Sequence, residues 1–143
     1  IQERSGIYGR SFYILKFRTI KSNGKISTYG KFLRKTHLDE LPQLIHLITG
    51  KMSLVGPRPL LISYISLYNK RQKKRLNVKP GITGLSQIKG GNLLSWKHRL
   101  TYDTFYAEKF NFWLDMYIIK STILHVFINI DSGDESEVFK GKI

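Results

Sequence analysis

Two acids stand side by side at Asp39 and Glu40, inside the stretch THLDELPQLIH, and cations are mounted around them in the chain at Lys16, Arg18, Arg34 and Arg58. Together these residue types suit a phosphorylated substrate. Cations bind a diphosphate and stabilise the charge that develops in phosphoryl transfer. A carboxylate can act as a nucleophile on phosphorus, and a second acid can serve as a base or help hold a divalent cation. Arg58 lies between Pro57 and Pro59, which hold its backbone extended and present its side chain from a stiff segment. A plainer account also fits the acid pair, because acids are favoured in the first turn of a helix. The residues alone leave both accounts open.

Other chemistries find little support. The sequence has no GxxxxGK, GxGxxG or GxSxG motif. It has no cysteine, which excludes disulfides and thiolate metal sites, and its four histidines (His37, His46, His98 and His125) are scattered. Lysine and arginine number 24 against 10 acids, leaving a net charge of +14 over 143 residues. That excess points to an anionic partner: nucleic acid, an anionic lipid surface or a phosphorylated substrate.

The length fits one domain, read as 1–130 with a polar, poorly ordered tail at 131–143. Residues 12–20, FYILKFRTI, alternate with period two and are bounded by turn residues, which predicts a hairpin strand. Tyr13, Leu15 and Phe17 would share one face, Lys16 and Arg18 the other. Thr28 can cap a short helix through YGKFLRK with Phe32 and Leu33 inward. Thr36 and Asp39 have capping-box spacing for a second helix from about Leu38 to Gly50. Its apolar stripe would be Leu38, Leu41, Leu44, Ile45 and Ile48. Residues 60–76 read as one amphipathic helix with Leu61, Ile65, Tyr68 and Gln72 aligned, and five of residues 70–75 are basic. A short strand is expected at 85–88, then helices at 95–106 and 112–130. The last is apolar around most of its circumference yet carries Asp115, Lys120 and His125, so it is either a core helix or one lying in a bilayer interface. The class is α+β and mostly helical: a short β-hairpin plus amphipathic helices.

The segments KFRTI (16–20), LRKTHLDELPQL (33–44), KMSLVGPRPLL (51–61) and VKPGITGLSQ (78–87), in that order, resemble the bacterial sugar transferases, the monotopic polyprenyl-phosphate phosphoglycosyl transferases. The resemblance runs from residue 2 to at least Tyr117. It implies attack by Asp39 on the β-phosphorus of a nucleoside-diphosphate sugar, UDP-linked in most members. A phosphosugar–aspartyl intermediate then passes its phosphosugar to polyprenyl (undecaprenyl) phosphate. It implies Mg²⁺ held by Asp39, with Glu40 as the second member of the catalytic dyad. Arg34 and Arg58 match family arginines, Lys16 and Arg18 fall in the KFRT segment, and Asp103 matches the acid of a D-x-x-Y segment. Gln87, in the matching LSQ run, completes the expected substrate- and phosphate-binding set. Ser86 stands where an aromatic residue or alanine is common. Lys89-Gly90-Gly91 replaces a run that often holds an arginine, and a lysine covers that role only in part.

The resemblance also implies a catalytic domain at the membrane interface, on the cytoplasmic face of the bacterial inner membrane and bound to anionic lipids. An N-terminal re-entrant helix is expected before Ile1, so on this reading the chain is a fragment. Two other readings stand beside it, a basic nucleic-acid-binding module and an inactive membrane-associated fragment. Against the former, the cations are dispersed and no nucleic-acid signature occurs, so no nucleic acid is expected as a partner.

Overall fold

The computed structural model describes residues 1–21, 24–36 and 38–128. The tail expected at 131–143 and the last two residues of the 112–130 helix fall outside them. Strands β1 (Gln2–Ser5) and β2 (Ser11–Ile14) pair antiparallel from Gln2↔Ile14 to Ser5↔Ser11. The hairpin expected from the YGR turn is therefore present. It stops at Ile14, however, and the KFRT stretch is not strand. Its parity is also the reverse of the expected one. Phe12 (7% exposed) and Ile14 (4%) face the core while Tyr13 (61%) faces out. All four residues from Phe12 to Leu15 are apolar, so period two does not set which face is inward. Packing against Met52 and Leu47 does.

Helix α1 (Thr28–Lys35) is capped by Ser27, whose hydroxyl accepts from the Gly30 amide, not by Thr28. Leu33 is buried, and Phe32, expected inward, is exposed. Leu38–Gln43 then forms a 3₁₀ segment that runs into helix α2 (Leu44–Ile48). Pro42, which has no N–H to donate, lies inside this segment, ahead of α2. Gly50 ends the helix with φ +68°, as the sequence suggests. The capping box does not form. Thr36 Oγ1 donates back to the carbonyls of Phe32 (2.8 Å) and Leu33 (3.3 Å), so it closes α1 instead of opening the next turn. The apolar stripe faces outward: Leu41, Leu44, Ile45 and Ile48 are exposed, Ile48 at 87%, and Gln43 and His46 are buried.

Strand β3 (Ser53–Val55) pairs in parallel with β4 (Gly81–Thr83). The strand expected at 85–88 is helix α3 (Leu85–Ile88), one short element later than β4. A four-residue stretch, LSQI, with apolar residues only at its ends is too short for a period to separate the two. The GPRP turn is seated against this sheet. A Cβ on Gly81 would collide with the Gly56 nitrogen, and one on Gly84 with the Gly56 carbonyl oxygen.

The single helix expected over 60–76 is two 3₁₀ segments, Ile62–Leu67 and Gln72–Asn77. The break has a side-chain cause. Asn69 Oδ1 accepts from the Gln72 amide and Gln72 Oε1 from the Asn69 amide, a reciprocal cap that starts a new turn. Helices α4 (Trp96–Lys109, capped by Ser95) and α5 (Phe112–Ile128) match their expected positions.

Three clusters form the core. Val55, Leu85, Ile88, Tyr106 and Ile118 join α3, α4 and α5 to β3. Leu60, Tyr68, Leu76 and Leu100 join the 60–77 region to α4. Phe12, Ile14 and Met52 lie under the hairpin. Only one side of α5 is used. Ile118 is fully buried, but Phe112, Trp113, Met116, Tyr117, Ile123 and Leu124 are exposed at helical spacing. No described helix is long and apolar enough to cross a membrane.

Candidate active site

Asp39 and Glu40 occupy the first turn of the 38–43 segment, both partly buried. Two elements distant in sequence meet there. The residue after Lys16 is tied down by its backbone, because the Phe17 amide donates to the Asp39 carbonyl (3.0 Å). That bond delivers Lys16 to the dyad, and its Nζ donates to Glu40 Oε1 at 2.6 Å. From the opposite side, Arg58 Nη2 donates to the same oxygen at 3.0 Å. The Lys16, Arg58 and Glu40 side chains are all partly shielded from water. Arg4, Lys16, Gln43, Arg58 and Ile82 line a shallow depression beside them.

Burial alone would raise the Glu40 carboxyl. The charges of Arg58 and Lys16 outweigh it and hold the pKa at about 2, against an ordinary 4.5. Glu40 is therefore ionised throughout the physiological range, and a carboxylate this acidic is a weak base. Its folded pKa is depressed, so its contribution to stability is complete above about pH 4.5 and is lost as the pH falls towards 2. Urea midpoints of the wild type and Glu40→Gln should differ most at neutral pH and converge across that window. A gap that stayed constant from pH 7 to pH 2 would contradict the ion-paired assignment.

The structure brings together Asp39, Glu40, Lys16 and Arg58 from the expected set. Arg34, on α1, donates Nε to the Thr19 hydroxyl (3.0 Å). Arg18 is exposed. Gln87 Nε2 donates to the Ile82 carbonyl (3.0 Å), while its Oε1 is buried with no protein partner among the described residues. Asp103 is 3% exposed, and both its carboxylate oxygens are taken by protein groups. It accepts from Arg75 Nε (3.1 Å) and Nη2 (2.9 Å) at one oxygen and from the Ser86 hydroxyl (2.7 Å) at the other.

Arg75 was hidden among the five cations of residues 70–75, in what reads as one amphipathic helix. One signal could have revealed it: it falls three residues after Gln72, continuing the side that Tyr68 and Gln72 share. Burial works against its charge, and the Asp103 carboxylate more than restores it. Arg4 was also missed, because a β1 residue four positions into the chain carries no motif of its own.

Residues 1–129 match the family model described as bacterial sugar transferase. An uncharacterized sugar transferase, EpsL, of Bacillus subtilis (strain 168) is 40% identical over 139 residues, 90% of this chain and 69% of the relative. A UDP-glucose:undecaprenyl-phosphate glucose-1-phosphate transferase of Xanthomonas campestris pv. campestris is 37% identical, over 87% of this chain and 30% of its own length. The exopolysaccharide production protein ExoY of Sinorhizobium fredii (strain NBRC 101917 / NGR234) is 35% identical, over 84% of this chain and 66% of its own length. The chain thus spans about two thirds of two of these relatives and under a third of the other.

Proposed function

The chain belongs to the bacterial sugar transferase family, and from that premise we propose that it is the catalytic part of a phosphoglycosyl transferase. The reaction moves a sugar 1-phosphate from a nucleoside-diphosphate sugar, UDP-linked as in the named relatives, to polyprenyl phosphate. One observation carries the reading. Of two adjacent carboxylates, Glu40 is clamped by Lys16 and Arg58, and Asp39 sits next to it at the start of a tight helical segment.

Asp39 is the nucleophile. Its carboxylate oxygen bonds to the β-phosphorus, the bridging bond to the α-phosphate oxygen breaks, and the nucleoside monophosphate departs with those electrons. In the second half, a polyprenyl phosphate oxygen bonds to the same phosphorus and the aspartyl–phosphorus bond breaks. Asp39 is then regenerated and the polyprenyl-diphosphate-linked sugar is released. Glu40 acts electrostatically, since its low pKa makes it a poor proton acceptor and a good anchor for two cations. Lys16 and Arg58 are thereby fixed where equatorial phosphate oxygens gather charge.

Among the described residues no three metal-capable side chains cluster. Mg²⁺ commonly takes one or two carboxylates and leaves its other positions to substrate phosphates and water. Asp39 is the side chain that would hold it, and the bound ion would neutralise diphosphate charge.

The outward apolar faces support a place at a lipid surface, where the acceptor resides. Leu41, Leu44, Ile45 and Ile48 along the 38–48 stretch, and Phe112, Trp113, Met116 and Tyr117 on α5, are more apolar surface than a free water-facing helix carries. The cytoplasmic face of the inner membrane is the side on which nucleotide sugars are made available.

Incubating the full-length enzyme in membranes with a panel of UDP-sugars, Mg²⁺ and undecaprenyl phosphate should release UMP in step with product. No UMP with any donor would refute the assignment.

A further inference from the structure

The GPRP segment and the leucine after it are anchored at three points, by bonds to the carbonyls of Pro57, Arg58 and Leu60. Gly81 N–H donates to Pro57 O (3.1 Å), and Ser5 N–H (2.9 Å) and Oγ (3.1 Å) to Leu60 O. Between them, Arg75 Nη2 donates to Arg58 O at 2.6 Å. The first and last anchors belong to strands or their edges. The middle one is the tip of a side chain, and that side chain is itself buried and held on every edge. Asp103 takes Nε and Nη2, Tyr68 Oη accepts from Nη1 (3.3 Å), and the Tyr68 ring lies under the guanidinium at 5.7 Å. Ser86 fixes the far oxygen of Asp103.

A buried ion pair of this kind adds little net stability compared with apolar residues of similar size. What an apolar replacement could not supply is the bond to Arg58. A shallow, half-open cleft whose lining includes Ser5, Gly6, Pro57, Pro59, Leu76 and Val78 lies beside the segment. We propose that Arg75 is a positioning residue, which through the Arg58 carbonyl fixes the direction in which the Arg58 guanidinium reaches Glu40 and the phosphate site. Asp103 and Ser86 act through Arg75, and none of the three touches substrate. The assignment moves Asp103 from the substrate-contact role implied by the family resemblance to a supporting one. Its catalytic part rests on the function proposed above.

Arg75→Lys is the informative variant. It keeps the positive charge beside Asp103, but an ammonium lacks the planar fork that spans Asp103 and the Arg58 carbonyl together. In the full-length enzyme, kcat should fall roughly tenfold or more, because small misplacements of a charge-stabilising group are costly, with the donor KM little changed. In an Arg58→Ala background, Arg75→Lys should cause almost no further loss, since the two act as one unit. An equal loss in both backgrounds would overturn the proposal, because a purely structural Arg75 lowers activity whether or not Arg58 is present.

A second readout does not need turnover. The Nε–Hε resonance of Arg58, assigned by its disappearance in Arg58→Ala, should be ordered in the wild type. It should become as mobile in Arg75→Lys as that of the exposed Arg71. An Arg58 signal unchanged by Arg75→Lys would also overturn the proposal. Should Arg75→Lys not fold, Ser86→Ala, which removes only the hydroxyl on Asp103, should mobilise the same signal to a smaller extent. No change there would count against the proposal in the same way. If the wild type turned over no donor, the enzymatic reading would fall, and the Arg58 resonance would still decide the positioning.

Discussion

Asp39→Asn is expected to lower turnover at least about 10³-fold, the scale on which enzymes lose a covalent nucleophile. The amide is nearly isosteric but cannot donate an electron pair to phosphorus at any useful rate. The Phe17–Asp39 bond uses the backbone carbonyl and is untouched by the substitution, as are the Glu40 ion pairs with Lys16 and Arg58. The variant should therefore fold as the wild type does, with its melting temperature nearly unchanged. UMP release measured against folded protein checks the first part, and calorimetry the second. A variant that kept its turnover would remove Asp39 from the nucleophile's role, whatever else the site does.

The largest effect on stability is expected at Asp103. Asp103→Asn leaves the Arg75 charge inside the protein, with side-chain exposures of 2% for Arg75 and 4% for Asp103. Breaking a buried pair from one side costs about 3–5 kcal/mol, because the remaining charge stays desolvated and uncompensated. Against a typical total of about 5–15 kcal/mol, that is a large fraction. The pair joins the Gln72–Asn77 segment to α4 next to Leu76 and Leu100, so the loss should loosen that cluster as a unit. Urea denaturation should show a lower midpoint with the slope preserved. By contrast Lys74→Ala, which breaks an exposed pair with Glu108, should leave the midpoint nearly unchanged.

These two expectations differ in how readable their residues were. The acid pair, the proline-fixed Arg58 and the cation Lys16 were legible as a group because their chemistry and motif order lie in the sequence itself. The helices at 96–109 and 112–128 were legible because each is long, and Ser95 is a strong cap. Failures came where a local pattern admits two answers. Phe12–Leu15 is apolar at both parities, so only tertiary packing could choose Phe12 and Ile14 as the inward pair. The Leu41–Ile48 stripe has helical spacing, but spacing does not say whether an apolar face meets a core or another phase. Asn69 and Gln72 divide what reads as one helix because their side chains satisfy each other's amides, a local device that a hydrophobic pattern does not register. Arg75 was unreadable for a further reason. Its partner, Asp103, lies 28 residues away on another element, and a cation among cations gives no sign of which one is buried.

The central claim is that Asp39 carries the phosphosugar between donor and acceptor. Intact-mass measurement of the full-length enzyme mixed with its UDP-sugar and Mg²⁺, without polyprenyl phosphate, tests it most directly. The wild type should gain the mass of one sugar phosphate less one water, lose it on addition of polyprenyl phosphate, and yield a fragment modified at Asp39. An enzyme that turned over its donor and acceptor with no such adduct, or with the same adduct in Asp39→Asn, would contradict the account.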